Sequence, residues 1–308
     1  MANRSVLFYR HFERYSGGHQ KVFDYFSHLR ASEGYQADIC FSQTSQWNIT
    51  NPWFPDTRSV GFLPEKYNYL FLAGMDWVVC SEDVLNDSKP IINLIQHVRH
   101  AEPNEDVHPF LKNKAIRICV SPEVESAIAA IANGPVITIA NGIEIPSISA
   151  EKCYEVFIAG FKNPSMALAL STDSDVTVET THVPRNKFLK QLASARIAVV
   201  LPHPDEGFFL PALEAMCLAD IAIIPDCIGN RSFCIDAEHD GGNCLMPSYN
   251  QEEITGAIRR AKNILNDPVR LHQIKTNAMS TVNAHSLSRE RQEFLKLISN
   301  VDELWHEG

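Results

Sequence analysis

Short apolar runs alternate with helical periodicities along almost the whole chain. Val6–Phe8 is the first run, and the glycine pair Gly17-Gly18 then opens HQKVFDYFSHLRAS, where Val22, Phe23, Phe26 and Leu29 recur at helical spacing. Ala37–Phe41, 76–80 (DWVVC), 91–95 (IINLI), 116–120 (IRICV) and 136–140 (VITIA) predict further strands. Ser121-Pro122-Glu123 predicts a helix start, with serine as cap and proline in the first turn. The pattern restarts after residues 141–149 (NGIEIPSIS), whose Asn-Gly, Pro and Ser signals read as a linker. Tyr154–Ala159, Val176–Glu179, Ile197–Leu201 and Ile221–Ile224 predict four more strands. A helix over 211–218 lies between the last two, and Leu245-Met246 precedes a long helical region from Gln251.

Strands alternating with helices predict parallel sheets wrapped by helices. The fold class is therefore α/β: two doubly wound, Rossmann-like halves, 1–146 and 147–308, facing across a cleft. The last helix is left free to cross back to the first half. Ligands of such sheets bind outside the C-terminal ends of the strands. Residues 47–71 break the pattern, crowding Trp47, Trp53, Phe54, Phe62, Tyr67, Tyr69 and Phe71 among three prolines. They read as a packed irregular insert, with a rim for an acceptor or lipid-linked substrate as the alternative.

At 308 residues the chain is long enough for two domains. Its net charge of −10 divides as −4 over 1–146 and −6 over 147–308, so neither half offers a basic surface for nucleic acid. The eight cysteines are scattered, with no CxxC pair and no ligand-like spacing to histidine, which reads as reduced thiols and no metal site. Without a signal-peptide pattern or a spanning apolar run, the chain reads as cytoplasmic. The aromatic stretch leaves peripheral docking at the inner membrane face open.

The candidate chemistry centres on residues 202–216, PHPDEGFFLPALEAM. Proline is tolerated only in the first turn of a helix, so Pro211 marks a helix start, with Glu206 in the preceding loop and Glu214 about one turn inside. Gly207 permits a sharp turn, and the amides of Phe208, Phe209 and Leu210 fall where a helix start leaves N–H groups unpaired. Such amides favour phosphate, and a carboxylate can accept two hydroxyls of a sugar or ribose at once. Two carboxylates flanking an anion site ask for a sugar nucleotide.

Together with its surroundings, SARIAVVLPHPDEGFFLPALEAMCLADIAII resembles the Glu-x7-Glu region of GT-B glycosyltransferases, most closely the large retaining family 4 group. Gly17-Gly18 is similar to that family's N-terminal glycine loop, and INLIQHVRH puts His97 where many members carry a histidine. RICVSPEVESAIA, VITIANGIEIP and FIAGFKNP resemble the end of the family's first domain, its linker and the first strand of its second. The resemblance covers residues 5 to about 260 and is weakest over 42–75.

It implies a metal-independent, retaining transfer from a nucleotide diphosphate sugar to a hydroxyl of a glycan or lipid-linked acceptor, in polysaccharide synthesis. No separate cofactor is implied, and a larger glycan-synthesis complex is a conceivable partner. Carried over, Glu206 lies by the donor sugar, Glu214 holds the ribose, His97 contacts a sugar hydroxyl, and Gly17-Gly18 approach the donor phosphates or the acceptor. Gly160 and Lys162 belong to the diphosphate loop, and the backbone around Val183 reads the base. The sequence departs where the family shows Gly-Arg: here stand Gly160-Phe161-Lys162, with Arg185 or Lys187 as substitute cations. Phe209 replaces the motif's second glycine. Alternatives are a degenerate nucleotide- or glycan-binding module, an inverting transferase on the same fold, and a sugar-nucleotide epimerase.

Overall fold

The computed structural model describes residues 4–171 and 174–307, which divide into two compact units: Met1–Asn141 with Leu287–Gly308, and Gly142–Ser286.

The first unit holds β1 (Arg4–Arg10), α1 (Gly17–Arg30), β2 (Tyr35–Phe41), β3 (Tyr69–Ala73), α2 (Glu82–Asn86), β4 (Ile91–Ile95), β5 (Ile116–Cys119), α3 (Pro122–Ile128) and β6 (Val136–Thr138). The six strands form one parallel sheet in the order β2-β1-β3-β4-β5-β6. Its core is aromatic: Phe8 stacks on Phe71 at 4.5 Å and meets Phe26 edge-on at 5.4 Å.

One strand lies elsewhere than the apolar pattern predicts. Residues 69–73 (YLFLA), which overlap the end of the aromatic insert 47–71, form the fully buried β3, whereas 74–79 form a 3₁₀ turn. Gly74, at φ +57°, turns the chain out of the sheet. The Asp76 carboxylate then accepts the Ala73 N–H at 2.9 Å and pairs with Arg10 at 2.6 Å, while Val78 faces solvent. The earlier part of the insert packs on β2, where Trp53 is buried 5.4 Å from Phe41; Trp47 and Phe54 pack together at 5.7 Å but stay partly exposed.

The second unit follows with β7 (Tyr154–Ala159), α4 (Pro164–Ala169), β8 (Val176–Glu179), α5 (Arg185–Ala193), β9 (Ala195–Val200), α6 (Leu210–Leu218), β10 (Ile221–Ile223), α7 (Gln251–Ile264) and α8 (Pro268–Ala284). Its parallel sheet runs β10-β9-β7-β8. Val156, Ile158, Ile197, Val199, Ile221 and Ile223 pack beneath Ile254, Ala257 and Ala261 of α7. The chain then re-enters the first unit as α9 (Leu287–Ser299) and α10 (Val301–Glu307). Among the described residues, no helix is long and apolar enough to cross a membrane.

Candidate active site

In the second unit β7 lies between β8 and β9, so connections leave its two flanks in opposite directions. That switch point is where parallel sheets open a crevice for a ligand. The loops after β7 and β9 meet there, and the Lys162 ammonium donates to Glu206 Oε1. The same oxygen accepts the His203 N–H at 3.4 Å. Gly160 sits where a Cβ would lie 2.1 Å from the Ala167 side chain, so only glycine lets α4 approach this close to the β7 end.

Phe209, at the position where the resemblance expects a glycine, is buried and presents its ring to the Lys162 ammonium at 5.0 Å. The phenylalanine thus holds the cation instead of clearing space for a phosphate. Phe208 stacks on Phe233 at 4.8 Å and anchors the loop inward. The Phe209 N–H donates to the Gly229 carbonyl at 3.1 Å, which narrows the amides this turn can offer an anion to those of Phe208 and Leu210.

Two residues that shape this site carry no motif. Tyr249 accepts from the Asn163 side-chain amide at 3.2 Å and donates to the Pro202 carbonyl at 2.7 Å, tying the loops of Lys162 and Glu206 together. Gly229 lies under the loop, where a Cβ would stand 2.5 Å from the Glu206 carbonyl oxygen and 2.7 Å from the Phe208 nitrogen. A glycine just past the apolar β10 run is the one signal that could have flagged it. Gly229→Ala is expected to push this loop off its seat, lowering stability by about 1–3 kcal/mol and weakening nucleotide binding. Calorimetric melting and titration of the variant measure both, and wild-type values in each would show that the loop adapts.

Glu214, on α6, is only 1% exposed. Burial pushes its carboxyl pKa up, and Arg185, at 2.6 Å from Oε1, works against that shift. Lys187 pairs with Glu179 at 3.4 Å. Both substitute cations considered for the diphosphate are therefore held by carboxylates. Val183 is half-buried in the turn between β8 and α5, and next to it His182 packs against Phe161 at 4.7 Å.

In the first unit Gly17-Gly18 form the opening turn of α1, capped by Ser16, whose Oγ accepts the His19 N–H at 3.3 Å. Gln96, at the end of β4, lies over this turn and donates to the Gly18 carbonyl at 3.3 Å. His97 follows, its Nδ1 accepting from the Arg99 backbone N–H at 3.2 Å and from Arg99 Nε at 3.3 Å. A neutral imidazole so held carries its proton on Nε2 and is a donor there. The Arg10 Nε holds His19 Nδ1 in the same way at 3.2 Å, and burial, with Arg10, lowers the His19 pKa to about 4.

Solved structures of the same architecture are known. Sucrose-phosphate synthase from Thermosynechococcus elongatus matches with TM-score 0.70 at 15% identity, over 97% of this chain and 99% of that one. HepE from Anabaena, solved with UDP-glucose, gives 0.71 at 11% identity, over 96% and 99%. A glycosyltransferase from Rickettsia africae gives 0.70 at 11% identity, over 97% and 98%. No protein-family model and no curated protein matches the chain. At such identities the likeness is one of fold: the chain has the α/β, GT-B architecture of these proteins.

Proposed function

We propose that this chain is a glycosyltransferase that moves a sugar, with retention, from a nucleotide diphosphate sugar to a hydroxyl of a glycan or glycolipid acceptor. The observation that carries the reading is the meeting of Lys162 and Glu206 from two strand ends at the switch point of the second unit, beside the start of α6. A cation and helix-start amides there can take up charge on the leaving diphosphate as the anomeric bond breaks. Glu206 orients the donor sugar, and Glu214 accepts from the ribose hydroxyls. By the family resemblance His97 gives its Nε2–H to a sugar hydroxyl, and Gly17-Gly18 keep backbone close to the phosphates or the acceptor. Since HepE is described with UDP-glucose, UDP-sugars are the first donors to try.

The decisive experiment is transfer from a panel of nucleotide sugars, with calorimetric titration of UDP, GDP and ADP alongside. Lys162→Met is expected to weaken the preferred nucleoside diphosphate by about tenfold while changing its monophosphate little, because the charge-assisted contact is to the second phosphate. Equal losses for both would remove Lys162 from the diphosphate. A second reading, a module that binds nucleotide without transfer, is favoured by Phe161 standing where the resemblance expects arginine. Tight nucleotide binding with no turnover on any donor and acceptor would establish it.

A further inference from the structure

The carboxylate assigned to the ribose does not stand alone. Glu214 is buried to within 1% on α6, whereas the Arg185 side chain on its Oε1 is 43% exposed. Arg185 is the first residue of α5 and follows directly on the β8 turn to which the resemblance gives the base. A ligand reaching the carboxylate meets the guanidinium at the same place. A hydroxyl both donates and accepts, and this ion pair presents one acceptor and one donor side by side.

We infer that Arg185 is a specificity residue: with Glu214 it forms a donor–acceptor pair that reads a ribose hydroxyl of a nucleoside diphosphate. The inference rests on the ribose role proposed for Glu214 and adds a second group to it. Arg185 also works against the burial that raises the Glu214 pKa. Among the described residues, the other ionisable groups next to α6 are engaged elsewhere or neutral: Lys152 donates to the Leu218 carbonyl at 3.0 Å and lies 3.5 Å from Asp220. Lys275 of α8 pairs with Asp220 at 3.2 Å, and Arg196 of β9 pairs with Glu155 at 3.1 Å. Lys187 of α5 pairs with Glu179, and the Cys217 thiol, along α6, is pushed up chiefly by burial and so stays protonated. β10 contributes only Ile221, Ala222 and Ile223. Removing Arg185 therefore leaves the buried carboxylate without its counter-charge, and its pKa rises further.

The test titrates UDP, GDP and ADP, each beside its 2′-deoxy counterpart, into the full chain and into Arg185→Met, Arg185→Lys and Glu214→Ala from roughly pH 5.5 to 8.5. The wild type is expected to prefer the ribonucleotide, since a site built to bond a hydroxyl rejects the analogue lacking it. Its affinity falls as pH drops through the raised pKa of Glu214. Glu214→Ala should lose the preference. Arg185→Met should bind about tenfold more weakly, lose the preference and move the pH midpoint of binding upward. Arg185→Lys should restore the midpoint but not the preference, because an ammonium keeps the charge without the fixed planar donor. If Glu214→Ala loses the preference while Arg185→Met keeps both it and the midpoint, the inference is overturned and the ribose reading survives. If no nucleotide binds the wild type, or none shows a ribose preference that Glu214→Ala removes, the ribose reading fails and takes the inference with it.

Discussion

Glu206→Gln is expected to lower turnover by about two to three orders of magnitude while the protein remains folded. Glutamine keeps the shape of the side chain and an oxygen for the His203 N–H. What it removes is the charge. Lys162 then keeps only a neutral amide oxygen and the face of Phe209, which hold its ammonium less firmly in the position in which the loop after β9 fixes it. In the proposed reaction that ammonium meets charge developing on the leaving diphosphate, and a contact made chiefly in the transition state lowers kcat more than it raises KM when lost.

Stability should change little. The Lys162 and Glu206 side chains are 28% and 17% exposed, so water screens the pair, and surface-type pairs contribute about 0–1 kcal/mol. A melting temperature near that of the wild type, with kcat reduced and KM for the donor little altered, is the expected pattern. Turnover near wild type would mean that the charge of Glu206 and its hold on Lys162 do not serve the reaction, and would move the search for the sugar-orienting group elsewhere.

The sequence made the strands and the two glutamates legible because each rests on local rules. Apolar runs of four to six residues announced β4, β5, β7 and β9, and proline fixed the start of α6 to within one residue. β3 was misplaced because YLFLA is continuous with an aromatic stretch, while DWVVC carries a more obvious β-branched pair. Only the turn at Gly74 and the Arg10–Asp76 pair, a contact across 66 positions, decide between them. Lys162 lies in the loop after β7, as the strand pattern predicts, but its contact with Glu206 spans 44 positions and has no local signature. The same is true of Tyr249, whose hydroxyl bridges two loops 47 and 86 positions away. Long-range pairings are what periodicity cannot carry.

Glu290→Ala is expected to destabilise the first unit by about 1–3 kcal/mol, because it takes from a buried ammonium one of the carboxylates that face it and from His28 its partner. Lys21, Asp24 and His28 share one face of α1, and α9 brings Glu290 back against them. Lys21 Nζ lies 2.9 Å from Asp24 Oδ2 and 2.5 Å from Glu290 Oε2, and His28 Nε2 lies 3.0 Å from Glu290 Oε1. Burial pushes the Lys21 pKa down, but Glu290 and Asp24 together raise it above the ordinary lysine value. The stabilisation is therefore complete below the ordinary lysine pKa and disappears only in alkali, as pH rises through the raised one. Removing Glu290 leaves Asp24 as the sole carboxylate among these three to face the ammonium. The double variant Lys21→Met/Glu290→Leu takes out two of the three charges and fills the space with apolar atoms, leaving Asp24 to the Gln20 side-chain amide at 2.8 Å, so it should recover part of the loss. Amide hydrogen exchange over α1 and α9 resolves the effect even if the two units unfold separately. Faster exchange there in Glu290→Ala, partly reversed in the double variant, is the expected result. Unchanged protection in Glu290→Ala would mean that the aromatic contacts of Tyr25 with Phe294, at 4.6 Å, hold α9 in place without the ion cluster.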